Sequence, residues 1–299
     1  MGQINKTLKV GAVIVLYNPS KSMISGLVER LLVQVDTLCL IDNSPVACPI
    51  SKASSEKISL MHFPDNIGIA GAQNHGLEVL LKNGCNYGVL FDQDSAIESD
   101  FVSRLLTDMQ RLHLESQSDI LAIGPSVLCE FSNTLLKPRI DKCIERHESG
   151  NIVRQIIASG MLINLALLPK VGFKETGLFI DAVDHEWCWR AQEHSLKIGQ
   201  SNTVIMRHRI GDYLNSFAGI EYRVGSPVRL YYQYRNIFLL VRRNYVPLYW
   251  KLRNLGLMIP KFLLNGLCQK QKRLRISFML KGIWDGLWNK TGPFDNNWK

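Results

Sequence analysis

Apolar residues along the chain fall either in short unbroken runs or at helical spacing, and the runs end in polar turns. Residues 10–17 (VGAVIVLY) form an uninterrupted, β-branched run closed by Asn18-Pro19, the pattern of a strand buried on both faces. Met23, Leu27, Leu31 and Leu32 then recur at helical spacing across 20–33, and 35–42 (VDTLCLID) reads as a second strand ending in Asp42-Asn43-Ser44-Pro45. A third strand is expected at 57–63, a helix from Ile69 to Leu81 stopped by Asn83-Gly84, and a further strand at 87–91 that runs into Asp92-Gln93-Asp94-Ser95. This βαβ alternation predicts an α/β fold with a mostly parallel central sheet, in which ligands sit beyond the carboxyl ends of the strands. The polar turns lie at such ends.

The middle is less regular. A helix is expected at 99–113, a strand at 119–124, little pattern over 125–150, an extended IVRQIIAS, a helix at 185–195 and extended chain at 197–207. Beyond 228 the chain becomes basic, aromatic and amphipathic, broken by Pro247 and Pro260, which predicts a catalytic domain over 1–228 and a helical amphipathic C-terminal region over 229–299. Residues 229–290 carry thirteen Lys or Arg against Asp285 alone, and the net charge of +9 therefore resides in this region. Such asymmetry implies an anionic partner, lipid head groups or, as the rival, nucleic acid. No run reaches the ~18–20 uncharged apolar residues of a membrane span. The membrane reading is therefore a helix lying in the interface, with Trp250, Leu255, Leu257, Met258, Phe262, Leu263, Phe278, Trp284 and Trp288 toward lipid. The alternative is that these side chains pack on the catalytic domain. Seven cysteines without a CxxC pair suggest neither a disulfide framework nor a thiolate zinc site, and no signal-peptide pattern opens the chain, so a cytoplasmic location is expected.

Candidate chemistry gathers in a few segments. Asp92-Gln93-Asp94 follows a buried strand, so two carboxylates project from one turn, as oxygen ligands for Mg²⁺ or Mn²⁺ completed by substrate phosphates; alone, such a turn is usually solvated surface. A second acidic cluster, Asp181 to Arg190 (DAVDHEWCWR), opens a helix whose dipole favours a carboxylate anion. Its bland reading is a helix cap at Asp181 or Asp184 with Trp187 and Trp189 in the core. His208 ends a strand-like segment and could add a nitrogen ligand, although a lone His is more often structural. The segment from Asn66 to Gly76 is not GxGxxG, which disfavours a dinucleotide-binding Rossmann site but still lets backbone approach a phosphate at a helix start.

In this order, VGAVIVLYNP, LIDNS, NIGIAGAQNHG, LFDQDS, IASGMLIN, FIDAVDHEWCWRA, MRHRIGD and YYQYRNIFLL resemble the bacterial rhamnosyltransferases of glycosyltransferase family 2, over nearly the whole chain. The resemblance implies a GT-A fold, a divalent cation (Mg²⁺ or Mn²⁺) at the DxD-type turn, and direct displacement with inversion at the anomeric carbon. Carried over by position, Asp94 binds the metal, Asp92 contacts ribose or supports the metal, His208 is a further ligand and Asp184 is the catalytic base. Tyr17, Asn18, Asp42, Asn43, Asn66, Gly68 and Asn74 line the nucleotide pocket, whereas Ser159, Gly160, Trp187 and Arg190 fall near the acceptor or the reacting phosphates, as does Glu186, whose role the resemblance leaves open. Many relatives carry Glu immediately before the base; Val183 stands there, which favours the rhamnose-using subgroup. The implied donor is dTDP-L-rhamnose, with a UDP-sugar as the alternative. The implied acceptor is a lipid-linked oligosaccharide of O-antigen or lipopolysaccharide type, met at the inner face of the plasma membrane, and a homo-oligomer is left open. A sugar nucleotidyltransferase would need a basic, glycine-rich N-terminal loop, and VLYNPSKSM has one Lys and no glycine. No nucleic-acid-binding module is recognisable, so no nucleic-acid partner is expected.

Overall fold

A computed structural model describes residues 8–48, 55–129, 134–135, 141–208, 214–217, 220–223 and 226–295. The chain opens as β1 (Val10–Leu16), α1 (Lys21–Leu32), β2 (Thr37–Asp42), β3 (Ile58–His62), α2 (Gly68–Lys82), β4 (Tyr87–Asp92) and α3 (Phe101–Ser116). Along β1 the side chains alternate by the period of a strand. Ala12, Ile14 and Leu16 enter one apolar cluster with Leu27 and Leu31 of α1 and Leu105 and Leu112 of α3. Val13 and Val15 enter the other with Leu77 and Leu80 of α2. Helices therefore cover both faces, and the central strand reads as a continuous apolar run.

Then come β5 (Ile120–Cys129), β6 (Thr134–Leu135), β7 (Cys143–Arg146), β8 (Gly150–Val153), β9 (Met161–Asn164), α4 (Leu168–Val171), α5 (Val183–Glu193) and β10 (Lys197–His208). Among the described residues the main sheet has the order β3-β2-β1-β4-β9-β5-β10-β8-β7, with β6 on β5. Strands β3, β2, β1 and β4 are mutually parallel, as are β5 and β10. The pairs β4–β9, β5–β9, β8–β10, β7–β8 and β5–β6 are antiparallel. The sheet is thus mixed, not mostly parallel. The reason lies in the connections: a parallel return needs a crossover of a dozen or more residues, and between β5 and β9 the described chain has no helix to supply one.

A small hairpin, β11 (Leu214–Phe217) with β12 (Ile220–Arg223), precedes three helices, α6 (Pro227–Val241), α7 (Leu248–Leu267) and α8 (Lys272–Leu287). Gly282 and Gly286 bring α8 against α6; a Cβ on Gly286 would stand 2.9 Å from the Arg235 carbonyl oxygen, and one on Gly282 would collide with that of Tyr231. Pro260 does not break α7, which runs through it with the loss of one backbone donor. Trp250 is also not lipid-facing: it is buried against Trp189, ring centroids 5.3 Å apart. Trp284 and Trp288 are exposed, as are Leu255 and Leu263. Among the described residues no helix is long and apolar enough to cross a membrane.

Candidate active site

The register aligns the strand ends that carry the polar turns. Leu16 pairs with Asp42, Val15 with Asp92, and Asp42 with His62, so the turns after β1, β2 and β4 stand side by side. Gln93 stitches two of them, its Oε1 accepting the Tyr17 N–H at 2.8 Å and its Nε2 donating to the Tyr17 carbonyl at 3.3 Å. Ser44 stitches the next, its Oγ accepting the Asn18 N–H at 2.7 Å. Asp42 is buried, and its carboxylate accepts the N–H groups of Ser44 (3.0 Å) and Cys48 (2.7 Å), so it shapes the turn from within. Asn43 is buried as well; its Nδ2 donates to the Gly68 carbonyl at 3.1 Å while its Oδ1 has no hydrogen-bond partner among the described residues.

That Gly68 contact leads to the start of α2. Asn66 takes a left-handed backbone (φ 49°) and its Oδ1 accepts the Gly68 N–H at 3.0 Å. Gly68 has φ +76°, and a Cβ there would lie 2.6 Å from the Phe179 carbonyl oxygen, so glycine is required twice over. The Ile69 N–H donates to the same carbonyl at 2.9 Å. Asn74, farther along α2, uses both amide atoms on the Lys174 backbone (2.8 and 2.9 Å). The glycine-rich segment therefore touches, through Phe179 and Lys174, the stretch that leads to the second acidic cluster.

The antiparallel insertion of β9 brings that cluster to the same end of the sheet. Its first residue, Met161, pairs with Leu90, and the Gly160 N–H donates to the Leu90 carbonyl at 2.8 Å. Ser159 and Gly160 consequently adjoin the acidic turn, with the buried Ser95 and Ser159 hydroxyls 2.7 Å apart. One residue earlier, the Ala158 N–H donates to Asp184 Oδ2 at 3.2 Å, and Asp184 Oδ1 accepts the His185 N–H at 2.9 Å. A continuous path thus runs from Asp92-Gln93-Asp94 through Ser95, Ser159 and Ala158 to Asp184.

Asp184 is half-buried, whereas Asp181 is engaged by the Arg229 guanidinium in three contacts of 2.8–3.1 Å. The residue in the cap position of α5 is Ala182, so neither carboxylate is the capping side chain. Glu186 and Trp187 are fully buried. The Glu186 carboxylate accepts from Arg190 (2.7 Å) and Tyr245 (2.7 Å); Arg190 also donates to the Val171 and Phe173 carbonyls, and Trp187 to that of Gly172. These three side chains, expected at the acceptor or phosphate side, are spent on internal contacts.

Two lysines that the sequence reading did not single out face the cluster. Lys174 is buried, its Nζ 5.6 Å from the centre of the Trp187 ring and without a hydrogen-bond partner among the described residues. Burial pushes its pKa down, against the opposing pull of Asp184, Asp92 and Glu186. Lys142 is likewise held below the ordinary lysine range by burial, with Asp184 the largest opposing charge. Lys142 lines a cleft of about 730 Å³ with Gly124, Arg146, Asn151, Gln155 and Ile156, next to the Ala158 amide that binds Asp184. Nothing in the local sequence marks these residues, because the cleft forms from strand edges that are distant along the chain.

Asp92 is half-buried and Asp94 exposed at the end of β4. Two oxygen donors on one turn are the set that Mg²⁺ or Mn²⁺ combines with substrate phosphates, so the residues fit such an ion. Among the described residues no three His, Cys, Asp or Glu side chains gather as a ready-made metal site. The backbone of His208 closes β10 opposite Cys129; its side chain lies outside the described residues.

The dTDP-rhamnosyl transferase RfbF of Shigella flexneri is 31% identical to the chain over 289 residues, covering 94% of this chain and 96% of RfbF. The chain belongs to RfbF's glycosyltransferase family. No protein-family model matches it. Among solved structures, this glycosyltransferase is similar to S. aureus TarS 1–349 in complex with UDP-GlcNAc, at TM-score 0.55 and 14% identity over 94% of this chain and 81% of that one. It is also similar to GalNAc-T7 with UDP, GalNAc and Mn²⁺, at TM-score 0.54 and 12% identity over 95% of this chain, which spans 56% of that one. At these identities the likeness is one of fold alone: a central multi-stranded sheet flanked by helices.

Proposed function

We propose that the protein is an inverting GT-A glycosyltransferase that moves a sugar from a pyrimidine nucleoside diphosphate to a hydroxyl of a lipid-linked glycan. The observation that carries this reading is the path from the acidic turn through Ser95, Ser159 and Ala158 to Asp184, which sets a carboxylate beside the donor end of the sheet. Asp184 takes the proton of the acceptor hydroxyl as its oxygen attacks the anomeric carbon. The new C–O bond forms as the bond to the diphosphate oxygen breaks, and the nucleoside diphosphate leaves from the opposite face. Asp94 and Asp92, with His208, would hold a divalent cation; when bound it supplies Lewis-acid stabilisation of the departing diphosphate. The turns of Tyr17-Asn18 and Asn43, with the start of α2 at Asn66 and Gly68, hold the nucleotide. Asn43 Oδ1, without a partner among the described residues, is an acceptor of the kind that the N3–H of thymine or uracil satisfies. The cleft lined by Lys142, Arg146, Asn151 and Gln155 takes the acceptor glycan.

For the donor, dTDP-L-rhamnose is favoured by the relation to RfbF. A UDP-sugar is the second reading, because the similar folds hold UDP or a UDP-sugar and both bases present the same N3–H. A panel of dTDP- and UDP-sugars, assayed with Mg²⁺ or Mn²⁺ for release of the diphosphate, should give turnover with one nucleotide class at least about tenfold above the other. No turnover with any member would sink the glycosyltransferase reading.

Residues 229–299 we assign to the membrane surface. On α7, Leu248, Leu252, Leu255, Ile259, Leu263 and Leu267 recur at three- and four-residue steps, and all are exposed. On α8, Leu280, Trp284 and Leu287 do the same, and Trp288, exposed, follows the helix directly. Burying each such side chain in the acyl boundary contributes about 1.5–3 kcal/mol, and the excess of Lys and Arg selects anionic lipid. Sedimentation with phosphatidylglycerol vesicles is expected to exceed that with phosphatidylcholine, to weaken with salt, and to fall at least about tenfold in Ile259→Glu/Leu263→Glu. Equal partitioning of the variant and the wild type would exclude these faces.

A further inference from the structure

The backbone that delivers Asp184 is held in an unfavourable shape. Asp181 and Ala182 have φ of 67° and 64°, in the left-handed region that costs a side-chain-bearing residue roughly 1–2 kcal/mol, and Phe179, at φ 64° and ψ −65°, centres a strained γ-turn. None of the three is glycine, so the segment does not take this path by local preference. What holds it is α6. Asn236, 2% exposed, donates through Nδ2 to the carbonyls of Leu178 (3.0 Å), Ile180 (2.8 Å) and Asp181 (3.0 Å). Its Oδ1 in turn accepts from Arg235 Nε at 3.1 Å, so the amide is fixed at both ends. Arg235 is fully buried; its Nη2 donates to the Gly177 and Leu178 carbonyls, both at 3.0 Å, and its Nη1 to that of Gly292. Tyr232, one turn earlier, stacks on Phe179 with ring centroids 4.7 Å apart and planes 10° from parallel.

The same short segment serves both halves of the site. The Phe179 carbonyl accepts the Ile69 N–H at the start of α2, on the nucleotide side. The Ala182 carbonyl, three residues on, accepts the Glu186 N–H at 2.8 Å and starts the helix that carries Asp184. From this we infer that Asn236, with Arg235, is a positioning residue that sets the Asp184 carboxylate against the donor pocket by clamping 177–182. The helical region after 228 is then a working part of the active site as well as a surface element. The inference rests on Asp184 being the base. A misplacement of the order of 1 Å at a reacting group costs about 10²-fold in rate, and strain of this kind persists only where the surroundings over-determine it.

Asn236→Ala is expected to lower kcat about 10²-fold with donor KM within about threefold of wild type. Hydrogen exchange at the Glu186 amide should speed up at least about tenfold, while the amides of β1 keep wild-type protection. Ala182→Gly added to that variant should restore part of kcat, because glycine takes the left-handed conformation without a Cβ penalty. If Asn236→Ala alone does not fold, the double variant is compared with Ala182→Gly, and the same changes in kcat and exchange are expected. Wild-type kcat, or a loss matched by equal deprotection of β1, would overturn the clamp. Absence of transfer by the wild type from any nucleotide sugar would instead count against the assigned reaction. The clamp would then stand or fall on the exchange rate at Glu186 alone, and an unchanged rate there would overturn it.

Discussion

Asp184→Asn is expected to cut glycosyl transfer by about 10²–10⁴-fold, the span attributed to a positioned general base, while nucleotide affinity stays close to that of the wild type. The asparagine keeps the shape and one acceptor oxygen but removes the atom that takes the proton. The proposed donor contacts are elsewhere, in the turns after β1, β2 and β4 and at the start of α2, so on that reading the loss belongs to the transition state and falls on kcat. Stability changes little. The Asp184 carboxylate accepts two backbone N–H groups, from Ala158 and His185, and the amide can retain only one, a cost of about 1 kcal/mol. Melting temperature should therefore drop by a few degrees. Near-normal transfer would reject the assignment of the base to Asp184. Asp181 would be a poor substitute, since the Arg229 guanidinium engages both of its oxygens, and Glu186 poorer still, being enclosed by Arg190, Arg243 and Tyr245.

In the parallel half of the fold β1, β2 and β4 were legible because they are buried on both faces and appear as apolar runs, so that they begin and end within about two residues of the expected positions. The other half was not. Strands β7 and β8 are four residues each, and β7 alternates half-buried with exposed positions, which leaves no apolar run to read. No local pattern encodes the insertion of β9 between β4 and β5, yet that insertion brings Ser159 to the acidic turn. On α5, acidic and aromatic residues occupy successive positions, so periodicity could not tell which of Asp184, Glu186, Trp187 and Arg190 faces outward. The structure turns Glu186 and Trp187 inward and leaves Asp184 half-buried. Lys174 carried no signal, and Asn236 stood in the YYQYRNIFLL block without a role, since the significance of both comes from partners remote along the chain: Asn74, and the 178–181 carbonyls.

Removal of the divalent cation should have the other large effect. With excess EDTA, and in Asp94→Ala at ordinary metal concentration, transfer is expected to fall on the order of 10³-fold. The departing nucleoside diphosphate gains charge as its bond to the sugar breaks, and Lewis-acid stabilisation of that charge is worth several kcal/mol. Among the described residues, the two buried lysines that face this end do not replace it. Lys174 is buried behind Trp187, and Lys142 lies at the cleft proposed for the acceptor. Asp94 is exposed at the end of β4, so its truncation should leave the melting temperature within a degree or so of wild type, as surface substitutions generally do. That contrast between activity and stability separates a ligand from a structural residue. His208→Ala should show a milder loss that higher Mg²⁺ or Mn²⁺ partly reverses, because a weakened site can be refilled by mass action whereas a missing carboxylate is only poorly compensated. Full turnover in excess EDTA would reject metal dependence. The acidic turn would then have to act through its carboxylates alone, which cannot stabilise a departing anion, and the role of Asp92 and Asp94 would shift to binding the donor's ribose or sugar hydroxyls.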